Sequence, residues 1–105
     1  INPVTAVSGG GPAYVFLLAE MLAEAGRASG LPDELAARLA RVTVAGSGEL
    51  LHQSPESPAT LRQNVTSPAG TTLEALKVMM APDGLQPIVT RAIAAATRRS
   101  RELAG

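Results

Sequence analysis

The chain has 105 residues, which fits one small domain, and 9 Lys and Arg balance 9 Asp and Glu to a formal net charge of zero. A neutral chain lacks the positive field that attracts nucleic acid or anionic lipid, so we expect neither partner. With no cysteine and only one histidine, disulfides, thiol nucleophiles and metal sites built from several imidazoles or thiolates are excluded, and no metal is expected.

The N-terminal sequence INPVTAV does not have the basic region that opens a signal peptide. No uninterrupted apolar run reaches the roughly 18 to 20 residues that a membrane-spanning helix needs. The sequence therefore predicts a cytoplasmic soluble protein with no membrane partner.

The first predicted helix runs from about Pro12 to Ser29, and Gly30 follows it as a C-terminal cap. Proline suits the first turn, because the N–H that it lacks would be unpaired there in any case. A single polar stripe, at helical spacing, consists of Glu20, Glu24 and Arg27. Almost everything else in this helix is apolar, so we expect it to be buried on most sides.

The second predicted helix begins near Pro32 and continues to about His52. Asp33 lies in its first turn, where the positive end of the helix dipole favours a carboxylate. Gly46 and Gly48 each cost a helix about 1 kcal/mol relative to alanine. Two such glycines suggest that another helix approaches this one closely.

Three shorter or later helices complete the prediction. Ser57 is placed as the N-cap of a short helix from Pro58 to about Val65. The turn SPAGTT leads into a helix from about Thr72 to Met80, and APDG leads into the last helix, from about Leu85 to Leu103. Because no stretch alternates with period two, we expect an all-α helical bundle of about five helices.

The glycine-rich stretch SGGGPAY at residues 8–14 differs from known nucleotide motifs. A dinucleotide fingerprint requires a preceding strand and a third glycine at the correct spacing, and a phosphate loop requires a lysine. Neither requirement is met here. We therefore expect a glycine-rich entry to a buried helix.

Motifs along the whole chain resemble the C-terminal domain of pyrroline-5-carboxylate reductases. The SGGGPAY stretch is similar to the family pattern S-G-S-G-P-A-Y, and a G-L-P follows at residues 30–32. The segment ESPATLRQNVTSPAGTTLEAL is similar to H-P-x-x-L-x-x-x-V-T-S-P-G-G-T-T, and AATRRSREL is typical of the last helix of the family. Two separate motifs at the proper spacing make the resemblance specific.

The resemblance implies a helical dimerisation and substrate-binding domain over residues 1–105, with an N-terminal dinucleotide-binding domain absent from this chain. The family forms an interleaved homodimer, and dimers can assemble further into rings. Its members reduce 1-pyrroline-5-carboxylate to L-proline with NADPH or NADH, which the absent domain mainly binds. This chain alone is expected to be inactive.

The resemblance also assigns site residues. Gly70, Thr71 and Thr72 lie where a turn enters a helix, so their backbone N–H groups could bind the substrate carboxylate. The Thr72 hydroxyl can donate and accept, which suits the ring nitrogen and makes Thr72 the candidate catalytic residue. Family precedent places cofactor contact at Asn64. The competing interpretation is that Thr71 or Thr72 merely caps the helix.

Two positions depart from the family pattern, because Ala69 replaces a glycine and Gly10 replaces a serine. If position 69 needs a positive φ, alanine would strain the turn by about 1 kcal/mol. These departures motivate two alternatives, a non-catalytic helical association module and a reductase of a related cyclic imine or hydroxyacid.

Other polar residues have simpler interpretations. His52 is expected to be an exposed or capping residue, and Glu56 a solvated loop charge. The arginines near the C-terminus are expected to be a solvated cluster that complements the helix dipole, and they are Arg98, Arg99 and Arg101.

Overall fold

A computed structural model describes residues 2–105, and no residue in that range lies in a strand. A short helix and a π-helical segment precede five further helices. The elements are α1 (Asn2–Val4), the π-helical segment (Thr5–Gly9), α2 (Gly11–Ala28), α3 (Asp33–Gln53), α4 (Pro58–Asn64), α5 (Thr71–Met79) and α6 (Leu85–Ala104). The predicted all-α class is confirmed, and the five predicted helices all form, each within a residue or so of its predicted bounds.

The helical turns before Gly10 were not predicted. The Gly10 amide donates to the Thr5 carbonyl over 3.2 Å, five residues back, which closes the wider turn of a π-helix. Such a segment has neither the 3.6-residue spacing nor the capping residues that mark an α-helix in a sequence. The glycine-rich stretch therefore follows one helical segment and opens another.

One compact unit consists of residues 2–10 together with 57–105. In it α6 packs against α1 and the π-helical segment, and Ala6 is buried. The Ser100 hydroxyl donates to Asn2 Oδ1 at 3.0 Å, which ties α6 to the N-terminal segment. At the start of α4, the Thr60 amide donates to the Ser57 hydroxyl over 3.1 Å, so Ser57 is the N-cap that the sequence predicts.

The other compact unit is residues 11–56, in which α2 and α3 pack together as a helical hairpin. Gly30 has a φ of +109°, and its amide donates to the Arg27 carbonyl at 2.9 Å. The Leu31 amide reaches the Gly26 carbonyl at 3.0 Å, which completes a Schellman cap. The predicted role of Gly30 is therefore confirmed.

Only alanines are buried among the hydrophobic residues of the described chain, and they are Ala6, Ala23, Ala36 and Ala40. The large apolar side chains of α2 are exposed, including Phe16 at 67%. The expectation that α2 would be buried on most sides is therefore not met within one chain. A methyl group removes little apolar surface from water, so this interior is thin.

The glycines of α3 likewise have no close neighbour inside the chain. A Cβ added to Gly46 or Gly48 would meet nothing within 4 Å. The inference that another helix approaches them closely is therefore wrong for contacts within the described residues. Helical spacing shows where the small residues lie, but it does not show which molecule covers them.

The helical stretch Asn2–Ala28 is long and apolar enough to cross a membrane, judged by length and composition alone. We expected no such segment, because polar and glycine residues interrupt every apolar run in this region. Helical structure continues through those interruptions, which produces the longer segment. The core helix of a soluble protein meets the same criterion. A single stretch of this kind is therefore weak evidence for a membrane span.

Candidate functional site

The turn between α4 and α5 is held by hydrogen bonds of its own residues. The Thr66 amide donates to the Gln63 carbonyl at 3.1 Å, and the Thr66 hydroxyl donates to the Arg62 carbonyl at 2.6 Å. The Gly70 amide donates to the Ser67 carbonyl at 3.1 Å. These bonds satisfy the end of α4 and fix the direction in which the chain enters α5.

The predicted site residues lie at the two ends of this turn. Asn64 is the last residue of α4, whereas Gly70 is the N-cap of α5 and Thr71 and Thr72 begin its first turn. The side chains of Asn64, Thr71 and Thr72 are exposed. A polar amide and two hydroxyls therefore border one turn and are accessible to a ligand.

The first turn of α5 has no side-chain cap. Gly70 has extended backbone angles, with φ −87° and ψ 171°, and it has no side chain that could accept from the following amides. Neither Thr71 nor Thr72 occupies the capping position, so the interpretation of these threonines as helix caps is wrong. Their hydroxyls make no hydrogen bond within residues 2–105 and stay available to a ligand.

An uncapped helix start suits an anion. The first amides of a helix have no intrahelical acceptor, and the helix dipole adds a partial positive charge at the same place. A carboxylate there would accept from the amides that follow Gly70. The space is also restricted, because a Cβ on Gly70 would come within 3.2 Å of the Ser67 Cβ.

The two departures from the family pattern do not strain the backbone. Among the described residues only Gly30 and Gly105 have positive φ, so Ala69 adopts a conformation that is open to any residue. Gly10 has φ −87° and ψ −12°, which a serine could also adopt. Because Ala69 does not have a positive φ, alanine causes no backbone strain at this position.

A shallow groove of about 360 Å³ lies between α4 and α5, beside the turn. Leu73, Leu76 and Met80 supply its apolar part, and Arg62 and Lys77 contribute positive charge. The Lys77 ammonium pairs with the Glu74 carboxylate at 2.8 Å. None of the predicted site residues lines this groove.

Sequence reasoning did not single out Arg62 or Lys77. The available signal was two cations placed on either side of the SPAGTT turn. Because isolated surface cations are common, that signal alone could not separate them from ordinary solvated charges.

The remaining polar residues lie where they were expected. His52 and Glu56 are exposed, and the Glu56 amide donates to the Ser54 hydroxyl at 3.1 Å. The three C-terminal arginines are exposed, and Arg99 pairs with Glu102 at 3.2 Å. Across the part of the chain that the structure describes, no group of three or more acidic or imidazole side chains could hold a metal ion.

Comparison with known proteins gives a consistent family match. The sequence profile of a family described as "Pyrroline-5-carboxylate reductase dimerisation" matches residues 1–103. The chain is 45% identical over 103 residues to a pyrroline-5-carboxylate reductase of Synechocystis, covering 98% of this chain and 38% of that protein. It is 47% identical over 104 residues to the Pseudomonas aeruginosa enzyme of that name, covering 99% of this chain and 38% of that protein.

Solved structures agree with the sequence matches. A pyrroline-5-carboxylate reductase from Coxiella burnetii matches with a TM-score of 0.90 and 41% identity, covering 97% of this chain and 37% of that one. Plasmodium falciparum pyrroline carboxylate reductase, crystallised with NADP bound, matches with a TM-score of 0.89 and 35% identity. That match covers 99% of this chain and 39% of the solved one. The chain thus spans well under half the length of the proteins that it matches.

Proposed function

Because the chain belongs to the pyrroline-5-carboxylate reductase dimerisation family, we propose that it is the helical dimerisation and substrate-binding part of an enzyme that reduces 1-pyrroline-5-carboxylate to L-proline. The observation that carries the proposal is the uncapped start of α5, with two exposed hydroxyls and free amides at one end of a turn whose other end carries an exposed asparagine. The chain corresponds to 38% of the length of its Synechocystis relative, so a complete enzyme needs further chain, including a dinucleotide-binding domain.

The substrate has two features that this turn can bind. Its carboxylate accepts from the backbone amides of Thr71 and Thr72, which the helix dipole makes favourable for an anion. The Gly70 amide, which the sequence also offered as a donor, already donates to the Ser67 carbonyl at 3.1 Å, so its contribution to the site is its lack of a side chain. Its ring nitrogen needs a hydrogen-bond partner that tolerates the change from imine to amine. The Thr72 hydroxyl meets this need, because it can donate as well as accept.

The reaction breaks the π bond of the C=N group, as the imine carbon takes a hydride and the ring nitrogen takes a proton that comes from water. NADPH or NADH supplies the hydride when it is bound, mainly by the separate domain. The Asn64 side chain offers both an amide donor and a carbonyl acceptor, which suits contact with the cofactor. The role of this chain is to hold the imine carbon in a fixed orientation, which alone can account for a large part of a rate enhancement.

The assembly proposed for this chain is a homodimer with interleaved helices, and dimers can associate further into rings. The large apolar residues of α2 are exposed in the single chain, and a second copy would remove them from water. Covering by protein also accounts for the apolar stretch Asn2–Ala28 without a membrane. We therefore propose a soluble, cytoplasmic protein that binds neither nucleic acid nor lipid.

The proposal is tested on the complete product of the reading frame that contains this chain. We expect that protein to be a dimer by light scattering and to oxidise NADPH or NADH when 1-pyrroline-5-carboxylate is added. Unsubstituted 1-pyrroline is a matched control, because it has the imine but not the carboxylate that the α5 amides would bind. Equal turnover of the two substrates would contradict the carboxylate site.

A folded dimer without turnover on any cyclic imine would instead indicate a non-catalytic association module. Turnover of another cyclic imine or of a hydroxyacid alone would indicate a related reductase. Ala69 has no positive φ, so backbone strain at this position gives these alternatives no support, whereas Gly10 still lacks the hydroxyl of the family serine.

A further inference from the structure

Thr66 lies in the turn between α4 and α5, after Asn64 and before Thr71. In a continued α-helix its amide would donate to the Arg62 carbonyl, four residues back. The amide donates instead to the Gln63 carbonyl at 3.1 Å, so the helical pattern ends here. The Thr66 hydroxyl takes the place of the amide and donates to the Arg62 carbonyl at 2.6 Å. One side chain therefore closes the end of α4.

The same side chain faces the groove between α4 and α5. Thr66 lines this groove of about 360 Å³ together with Leu73 and Leu76 of α5. It is half-buried, whereas the predicted ligand-binding side chains on either side of it are exposed. A half-buried side chain with a short hydrogen bond suits a supporting role better than contact with a ligand.

The two ends of the turn carry the two halves of the proposed site. Asn64 ends α4 and is proposed to contact the cofactor, and Thr72 begins α5 and is proposed to contact the ring nitrogen. The hydride passes between the two ligands that these residues hold. Its path therefore depends on how the end of α4 is held relative to the start of α5, and small errors in such an alignment cost a large part of the rate.

We propose that Thr66 is a positioning residue for hydride transfer, which holds Asn64 in place relative to the first turn of α5 through its hydrogen bond to the Arg62 carbonyl. The assignment rests on the proposed function, because it takes Asn64 and Thr72 to hold cofactor and substrate. Each ligand keeps its own contacts when the Thr66 bond is lost. The expected effect is therefore on the chemical step and not on the binding of either ligand.

Thr66→Val in the complete enzyme tests the hydrogen bond directly. Valine has nearly the same shape as threonine and keeps the groove filled, but it has no hydroxyl. We expect kcat to fall on the order of tenfold, because the two ligands are less well aligned. The KM values for 1-pyrroline-5-carboxylate and for the cofactor should stay within about twofold of wild type, since only the transition state is affected.

A single-turnover measurement separates positioning from stability. Enzyme in excess over NADPH or NADH is mixed with saturating 1-pyrroline-5-carboxylate, and the cofactor absorbance is followed in a stopped-flow instrument. The rate constant of the decay reports the chemical step, whereas its amplitude reports the fraction of enzyme that is active. We expect Thr66→Val to lower the rate constant on the order of tenfold and to leave the amplitude unchanged.

Two further variants serve as controls. Thr66→Ser keeps the hydroxyl, so its rate constant should be close to that of wild type. Thr60→Val is matched to Thr66→Val, because Thr60 is a half-buried threonine at the other end of α4 whose hydroxyl accepts from the Ser57 hydroxyl at 3.0 Å. It removes a comparable hydrogen bond away from the turn, so we expect its rate constant to match wild type.

Several outcomes would overturn the assignment while leaving the proposed function intact. They are a wild-type rate constant in Thr66→Val, a fall in its amplitude alone, and an equal loss of rate in Thr66→Ser. If Thr66→Val does not fold, Thr66→Ala also lacks the hydroxyl and should show the same slow step, and a wild-type rate constant there would contradict the assignment. A folded complete protein without turnover of 1-pyrroline-5-carboxylate would instead contradict the proposed function, and the role of Thr66 with it.

Discussion

The Leu31 amide donates to the Gly26 carbonyl at 3.0 Å, and the Leu31 side chain lies against the same glycine. A Cβ built on Gly26 would come within 3.1 Å of Leu31 Cδ1. The hydrogen bond and the side-chain contact together fix the turn from α2 into α3. The packing of α3 along α2 starts from this turn.

Gly30→Ala should weaken this turn. Gly30 has a φ of +109°, and an L-residue with a Cβ pays about 1 to 2 kcal/mol in the left-handed region. We expect a loss of that size in the free energy of unfolding, measured by urea denaturation. Asparagine tolerates such angles better, so Gly30→Asn should lose less. Equal losses for the two variants would count against backbone strain as the cause.

Ser57→Ala should destabilise α4 by removing its N-cap. The Thr60 amide, which donates to the Ser57 hydroxyl at 3.1 Å, would lose its acceptor. Losing such a cap costs about 1 kcal/mol. We expect a fall of that size in the free energy of unfolding, and near wild-type stability for Ser57→Asp, which keeps an acceptor. A variant Ser57→Ala as stable as wild type would show that the cap contributes nothing.

Gly84→Ala should be more disruptive than either of these changes. A Cβ on Gly84 would collide with the Met79 carbonyl and lie 2.9 Å from the Ala81 carbonyl oxygen. Because the obstacle is backbone, the turn into α6 must shift, at a cost on the order of 2 kcal/mol. Asp83→Ala, at the adjacent exposed position, is the control and should be nearly neutral in thermal denaturation. Similar losses for both would show that the turn tolerates the shift.

Thr72→Ala should reduce turnover in the complete enzyme without unfolding it. Its exposed hydroxyl makes no hydrogen bond in the described chain, so stability has little reason to change. Losing a hydrogen bond to a charged reacting group costs about 1.5 to 3 kcal/mol, which corresponds to roughly a ten- to hundredfold fall in kcat/KM. Thr72→Ser keeps the hydroxyl and should retain most activity. Unchanged kinetics for the alanine variant would remove Thr72 from the proposed mechanism.

The helices could be predicted because their signals are local. Ser57 followed by proline marks the start of α4, and Gly30 marks the end of α2, and the structure has both features. The π-helical segment before Gly10 could not be predicted. Its hydrogen bonds join residues five positions apart, and no residue type or spacing in the sequence marks them as Ser57 and Gly30 mark the ends of α-helices.

Which molecule covers the apolar faces could not be predicted from the sequence of one chain. The composition of α2 indicates that it is to be buried, but helical spacing does not distinguish contact within the chain from contact with another molecule. The same limit applies to Gly46 and Gly48, which face open space in the single chain.

The candidate site was only partly predictable. The sequence indicates a turn entering a helix at SPAGTT, and the structure adds that Gly70 leaves the helix uncapped. The roles of Thr72 and Asn64 came from the family resemblance and stay predictions. No local pattern encodes where a substrate from outside the chain will lie.

An interior made only of alanine methyl groups has a kinetic consequence for the proposed dimer. A newly synthesised chain cannot hide its large side chains by itself, so the step that buries them is an encounter between two molecules. The rate of that step rises with the square of chain concentration. Each chain finds a partner at a rate proportional to chain concentration, so a tenfold lower concentration from slow synthesis would prolong about tenfold the period in which α2 is exposed to chaperones and proteases.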